Sequence, residues 1–164
     1  MSEAILALGS NLGDRPANLR AALGLLEELG ATATRVSSVW DTPPFPPDQP
    51  RYLNAAVAVE TDLDPEALLA VAKEVEHLLG RRPAGRWRPR PIDIDLLFCG
   101  ERELVTETLT VPHPRIAERA FVLLPLAEVL AGPLPVLGRS AADLLEGLDT
   151  AGHERTGVQL RPDA

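Results

Sequence analysis

A chain of 164 residues, 45% of them hydrophobic, is long enough for one core and short for two, so a single domain over residues 1–164 is expected. Twenty-four acidic residues against 16 basic ones leave a net charge of −8, which argues against a nucleic-acid binder held by general phosphate neutralisation. The lone Cys99 excludes a disulfide framework or a cysteine-rich zinc site and fits a reducing, cytoplasmic setting, and no apolar run approaches the roughly 18 residues of a membrane span.

The apolar run 4–8 has no basic leader and reads as a strand, not a signal peptide; it enters the turn-rich Gly9-Ser10-Asn11-Leu12-Gly13. Asp14 caps a helix with Pro16 in its first turn and a buried stripe of Leu19, Ala22, Leu23, Leu26 and Leu29, ended by Gly30. Residues 34–42 read as a second strand, closed by the proline-rich loop 43–47. In a third, Leu53, Ala55, Val57 and Val59 face one side and Asn54, Ala56, Ala58 and Glu60 the other. Asp64-Pro65-Glu66 starts a second helix with the stripe Leu68, Val71, Ala72, Val75, Leu78 and Leu79, and 91–98 forms a fourth strand. The order βαββαβ indicates an α/β sandwich of the ferredoxin-like class. Gly100 suggests a hairpin into 103–110, 114–130 two short helices broken at Pro125, and 140–148 a capped helix, followed by about a dozen loose, polar residues.

The densest chemistry lies in residues 86–98. Asp93 and Asp95, two apart on a strand, share a face about 7 Å apart along the backbone. Two like charges so close favour a divalent cation, and oxygen ligands indicate Mg²⁺ over zinc; a solvated acidic strand face is the plain alternative. Just before them, Arg81, Arg82, Arg86, Arg88 and Arg90 put +5 into ten residues, against −13 in the rest of the chain. Guanidinium groups bind phosphate bidentately, so this loop beside a metal-binding strand suits a triphosphate. The only lysine, Lys73, lacks the glycine frame of a GxxxxGK[ST] phosphate loop.

Aromatic residues are scarce, which singles out Tyr52, on the same strand face as Asn54. A flat heterocycle can stack there and be read at its edge by the amide, although a half-buried tyrosine and a loop-bonded asparagine fit equally well. His113, in Val-Pro-His-Pro, stands at a helix start, where it either contacts an anion or caps the helix.

Leu-Gly-Ser-Asn-Leu-Gly at 8–13, Thr-Pro-Pro at 42–44, Tyr-Leu-Asn-Ala-Ala at 52–56, Arg-Trp-x-Pro-Arg-x-x-Asp-x-Asp at 86–95 and Val-Pro-His at 111–113 occur in order. Together they closely resemble the 6-hydroxymethyl-7,8-dihydropterin pyrophosphokinases of folate synthesis, over residues 4–130. The resemblance implies transfer of pyrophosphate from ATP to the pterin hydroxymethyl group, with release of AMP, by a monomer that uses neither nucleic acid nor membrane. It further implies that Asp93 and Asp95 hold two Mg²⁺ ions and that the pterin stacks between Tyr52 and Phe121, its edge read by Asn54 and by Thr42, Pro43 and Phe45. By the same resemblance, Arg90 and His113 hold phosphates, Glu76, Arg81, Thr110 and Arg119 line the nucleotide side, and Trp87 closes over the site with Arg82 or Arg86. Arg88 stands where the family often has glycine, and Pro114 where it can have an aromatic.

Two rival readings remain at this level. One is a different metal-dependent phosphotransferase or nucleotidyltransferase, since D-x-D on a strand serves both. The other is a non-catalytic ferredoxin-like binding module, which would need exposed aromatics or a basic sheet face where this chain has an acidic one.

Overall fold

The computed structural model describes residues 1–44, 47–80 and 91–161. β1 (Ser2–Ser10), α1 (Arg15–Glu28), β2 (Ala31–Val36), β3 (Trp40–Thr42), β4 (Tyr52–Thr61), α2 (Pro65–Leu78) and β5 (Asp93–Cys99) follow in the expected order. The strands form one antiparallel sheet with β1 between β5 and β4, while β2 and β3 share the far edge of β4. This is the ferredoxin-like arrangement, with β2 and β3 in the place of one strand. Both long helices start as their sequences dictate, the side chains of Asp14 and Asp64 accepting the N–H groups of Ala17 and Ala67.

The sheet is buried on both faces. Leu6, Leu8, Leu53, Val57 and Ile94 pack with Leu19 and Leu26 of α1 and Leu68 and Val75 of α2. On the other face Ile5, Ala56, Ala58, Leu97 and Phe98 meet Val122, Leu123 and Leu126 of α3 (Ala120–Val129). Each large aliphatic side chain buried in this way contributes about 1.5–3 kcal/mol. A bulge lets β5 serve both faces: Ile5 pairs with Phe98 and Leu6 with Leu96, which leaves Leu97 as the extra residue. The Leu97 carbonyl accepts the His113 N–H at 3.0 Å and so ties the following loop to the sheet.

Several expectations are corrected. The stretch 34–42 is two strands, because at the break the Ser37 hydroxyl takes the Ala56 N–H at 2.8 Å in place of a backbone carbonyl. Leu29 and Leu78 are exposed, at 39% and 54%; each lies ten residues after the leucine that opens its stripe, about 80° off that face. Residues 103–110 do not form one strand: β6 (Leu104–Val105) and β7 (Thr110–Val111) pair with each other across a turn in which the Thr106 hydroxyl accepts the Thr108 and Leu109 N–H groups.

Pro125 does not break α3. Its ring removes one bond, to the Phe121 carbonyl, and the burial of Val122, Leu123, Leu126 and Val129 outweighs a loss of about 3 kcal/mol. The break falls earlier, at Arg119, between a 3₁₀ turn at Ile116–Glu118 and α3. Ser140 caps α4 (Ala141–Leu145), which stops short of 148. Nor is the tail loose through residue 161. β8 (Glu154–Arg155) pairs with β3, Leu160 is 3% exposed in the core, and Arg161 bonds Glu27 at 2.6 Å.

Candidate active site

A cleft of about 680 Å³ opens at the end of the sheet beyond Ala7, on the α3 face. Pairing sets its floor. Gly9 of β1 lies between Asp93 of β5 and Asn54 of β4, and Ala7 lies opposite Asp95, so both carboxylates, Asn54 and Tyr52 share one face. The period of two keeps Tyr52 with Asn54 and Asp93 with Asp95, and the register with β1 brings the two pairs to the same face.

Asn54 is 9% exposed and donates through Nδ2 to Thr42 Oγ1 at 2.7 Å, across the β3–β4 pair. Gly9 is required by closeness, since a Cβ there would stand 2.8 Å from Asn54 Oδ1 and 3.5 Å from Tyr52 Cδ1. Asn11, in the turn after β1, is buried and reaches Gln49 Oε1 and the Pro50 carbonyl, each at 3.3 Å. It thereby ties the turn after β1 to the loop before β4. On the opposite wall the Arg119 guanidinium sits 5.7 Å from the centre of the Phe121 ring.

Glu76 of α2 is 6% exposed, and its Oε2 accepts the Ile94 N–H at 2.8 Å. Ile94 lies between the two aspartates on β5, which among the described residues is an edge strand of the sheet, so this bond holds the acidic segment from the side away from β1. His113 Nδ1 accepts the Arg115 N–H at 3.2 Å. The neutral ring then carries its proton on Nε2. Burial, with the charges of Arg119 and Arg115, lowers the His113 pKa against the opposing pull of Asp93, which favours that neutral form.

Thr42, Pro43, Tyr52, Asn54, Glu76, Asp93, Asp95, Thr110, His113, Arg119 and Phe121 all line this one cleft. Phe45, Arg81, Arg82, Arg86, Trp87 and Arg90 lie outside the described residues. The structure adds Gly9, Lys73 and Arg115 to the lining. Lys73 was set aside for want of a phosphate loop, yet it falls with Leu69 and Glu76 at four- and three-residue steps along α2, the spacing of one helix face. Among the described residues no group of three or more His, Cys, Asp or Glu stands ready to hold a metal unaided. Two carboxylates on one face nevertheless fit Mg²⁺, which commonly takes one or two carboxylates and completes its shell with substrate phosphates and water. No helix among the described residues is long and apolar enough to cross a membrane.

The chain is 45% identical over 160 residues to a 2-amino-4-hydroxy-6-hydroxymethyldihydropteridine pyrophosphokinase of Methylorubrum extorquens, covering 94% of this chain and 99% of that protein. It is 48% identical over 128 residues to the Bacillus subtilis protein of that name, covering 77% of each. It also matches the mitochondrial folate synthesis bifunctional protein of Pisum sativum, at 47% over 129 residues, 78% of this chain and 25% of the relative. The chain thus spans about a quarter of the length of the plant bifunctional relatives. In fold it resembles the Plasmodium falciparum HPPK-DHPS crystallised with pteroate, with a TM-score of 0.73 at 18% identity over 89% of this chain and 42% of that one. Residues 5–131 match the sequence pattern of a single family, and on that match the chain belongs to the 7,8-dihydro-6-hydroxymethylpterin-pyrophosphokinases (HPPK).

Proposed function

We propose that the chain transfers the pyrophosphoryl group of ATP to the hydroxymethyl group of 6-hydroxymethyl-7,8-dihydropterin and releases AMP. The observation that carries this reading is a cleft whose floor joins an aromatic and amide half, Tyr52 and Asn54, to a carboxylate half, Asp93 and Asp95, across the bare backbone of Gly9. Family membership supplies the reaction class. The bond formed joins the pterin's hydroxymethyl oxygen to the β-phosphorus, and the hydroxyl proton is released to water; the bond broken links that phosphorus to the α–β bridging oxygen, with which AMP leaves. No protein nucleophile is needed, so the residues bind, align and exclude water.

In this reading the pterin ring stacks between Tyr52 and Phe121. Asn54 offers Oδ1 to its edge while Nδ2 is held by Thr42, and Pro43 and Phe45 flank it. Asp93 and Asp95 would hold two Mg²⁺ ions, which would neutralise phosphate charge. His113 donates its Nε2 proton to a phosphate oxygen, and Arg119 supplies a fixed charge. Glu76 and Thr110 take the nucleotide side with Arg81. Arg82, Arg86, Arg90 and Trp87 complete the phosphate side as a basic segment covering the reactants. The protein works as a cytoplasmic monomer; the buried Cys99, its pKa raised by burial against the pull of Arg102, suits a reducing compartment.

The test is to incubate the chain with ATP and the hydroxymethyl pterin, with and without Mg²⁺, and separate the nucleotides. The expected result is one AMP per pterin diphosphate, only with Mg²⁺. ADP, or free pyrophosphate in place of the pterin product, would overturn the assignment.

A further inference from the structure

Residues 152–161 run along the sheet edge opposite the carboxylate strand β5, yet they lie against the pterin half of the cleft. β8 pairs with the outer edge of β3, Arg155 opposite Trp40 and Glu154 opposite Asp41, while the inner edge of β3 pairs Thr42 with Tyr52 and Trp40 with Asn54. The three-residue β3 is therefore clamped between the strand that carries Tyr52 and Asn54 and the C-terminal strap. Further contacts fasten the strap. The Thr156 N–H and hydroxyl both donate to the Val39 carbonyl, at 2.9 and 2.8 Å, and the Arg155 guanidinium lies 5.4 Å from the Trp40 ring centre. Its far end is anchored by Leu160 in the core and by the Arg161–Glu27 ion pair.

Arg51 is the junction. It precedes Tyr52, its Nε donates to Asp41 of β3, and its Nη2 donates to the Gly152 carbonyl of the strap. Its own carbonyl accepts from Arg15 at the start of α1, at 3.0 Å. Gly152, with φ +78°, lays bare backbone against Pro43, and a Cβ there would stand 3.2 Å from Pro43 Cγ. Both ends of the loop from Pro43 to Tyr52 are thus held by one strap, which lies beyond residue 131, where the family match ends.

We propose that Arg51 and the strap at Gly152 are positioning elements for the pterin: they fix Thr42, Pro43 and Tyr52 before the ring arrives and so set its affinity without touching it. The proposal rests on the pterin assignment above. An exposed ion pair is worth little to stability, about 0–1 kcal/mol, so its loss is to be read in positioning and not in melting.

The experiment measures pterin KM and kcat at saturating ATP, ATP KM at saturating pterin, and the melting temperature, for the native chain, Arg51→Ala, Arg51→Lys and Gly152→Ala. Arg51→Ala and Gly152→Ala are expected to raise pterin KM about three- to tenfold, with kcat and ATP KM within about twofold; the melting temperature is nearly kept in Arg51→Ala and falls by about 2–8 °C in Gly152→Ala, where alanine must take a φ of +78°. Arg51→Lys, which keeps the charge and one of the two bonds, is expected to recover part of the loss. Unchanged pterin KM in both variants overturns the proposal. So does a joint fall of melting temperature and kcat, or failure of both variants to fold, since either makes the strap a folding element only. A native chain that makes no AMP from the pterin removes the activity itself and this role with it; native activity with unchanged variants removes this role alone.

Discussion

Replacing Gly9 by alanine tests the cleft floor with one methyl group. The added Cβ would lie 2.8 Å from Asn54 Oδ1, about 0.5 Å inside ordinary carbon–oxygen contact, and 3.5 Å from the Tyr52 ring. Asn54 cannot turn aside freely, because it is buried and its Nδ2 is bonded to Thr42 Oγ1 at 2.7 Å. Relief breaks that bond or moves β1 away from β4, and a buried amide left without its partner costs about 1–3 kcal/mol. For a chain of this size that lowers the melting temperature by about 2–12 °C. The same displacement spoils the surface that takes the pterin, so pterin KM should rise about tenfold or more while ATP KM changes little. The assay is AMP formation titrated with pterin at saturating ATP, beside a thermal melt. A Gly9→Ala protein with native pterin KM and native melting temperature would refute the close approach and the role given to Asn54.

Glu76→Ala strips the acceptor from the edge N–H of Ile94 and should cost about 1–3 kcal/mol in denaturant unfolding, whereas Glu76→Gln, which keeps a carbonyl acceptor, should recover most of it. Equal losses in the two would show that the charge and not the bond matters. Burial raises the Glu128 pKa, but hydrogen bonds from the Ser38 hydroxyl, Trp40 Nε1 and the Ser38 N–H, with the charge of Arg155, outweigh it and leave the value below the ordinary 4.5. The linked stability is therefore fully present above pH 4.5 and is lost as pH falls through the lowered folded value. Because Glu128 is largely exposed the effect is small, and Glu128→Gln should flatten that acid limb in melts taken from pH 3 to 6; an unchanged limb would contradict the network.

The parts of the fold that rest on local period were legible in the sequence. The alternation of 53–60 and 92–96 put Asn54 with Tyr52 on one strand face and Asp93 with Asp95 on another, which the pairing of both strands with β1 makes common, and the aspartate caps and leucine stripes located both long helices. What local pattern misses is what distant contacts decide. Ser37 splits a strand by spending its hydroxyl on Ala56, nineteen residues away. Pro125 stays in a helix because its neighbours bury against the sheet. The tail is ordered by pairing with β3, more than a hundred residues earlier, and no spacing within the tail announces it. Gly9 looked like part of a turn, and its actual reason, the approach of Asn54 and Tyr52, exists only once β1 and β4 are paired. Lys73 was judged by a motif it lacks, while its position on the Glu76 face of α2 was readable from spacing alone.

The central claim is pyrophosphoryl transfer in a cleft whose reactive end is Asp93 and Asp95. It is tested most directly with ATP labelled at the β-phosphate, given to the native chain and to Asp95→Ala with the hydroxymethyl pterin and Mg²⁺. The native chain is expected to deliver the label to the pterin product, one for each AMP, and Asp95→Ala to deliver essentially none while melting as the native chain does. Label retained in ADP or released as free pyrophosphate, or a folded Asp95→Ala chain that turns over at the native rate, would contradict the account.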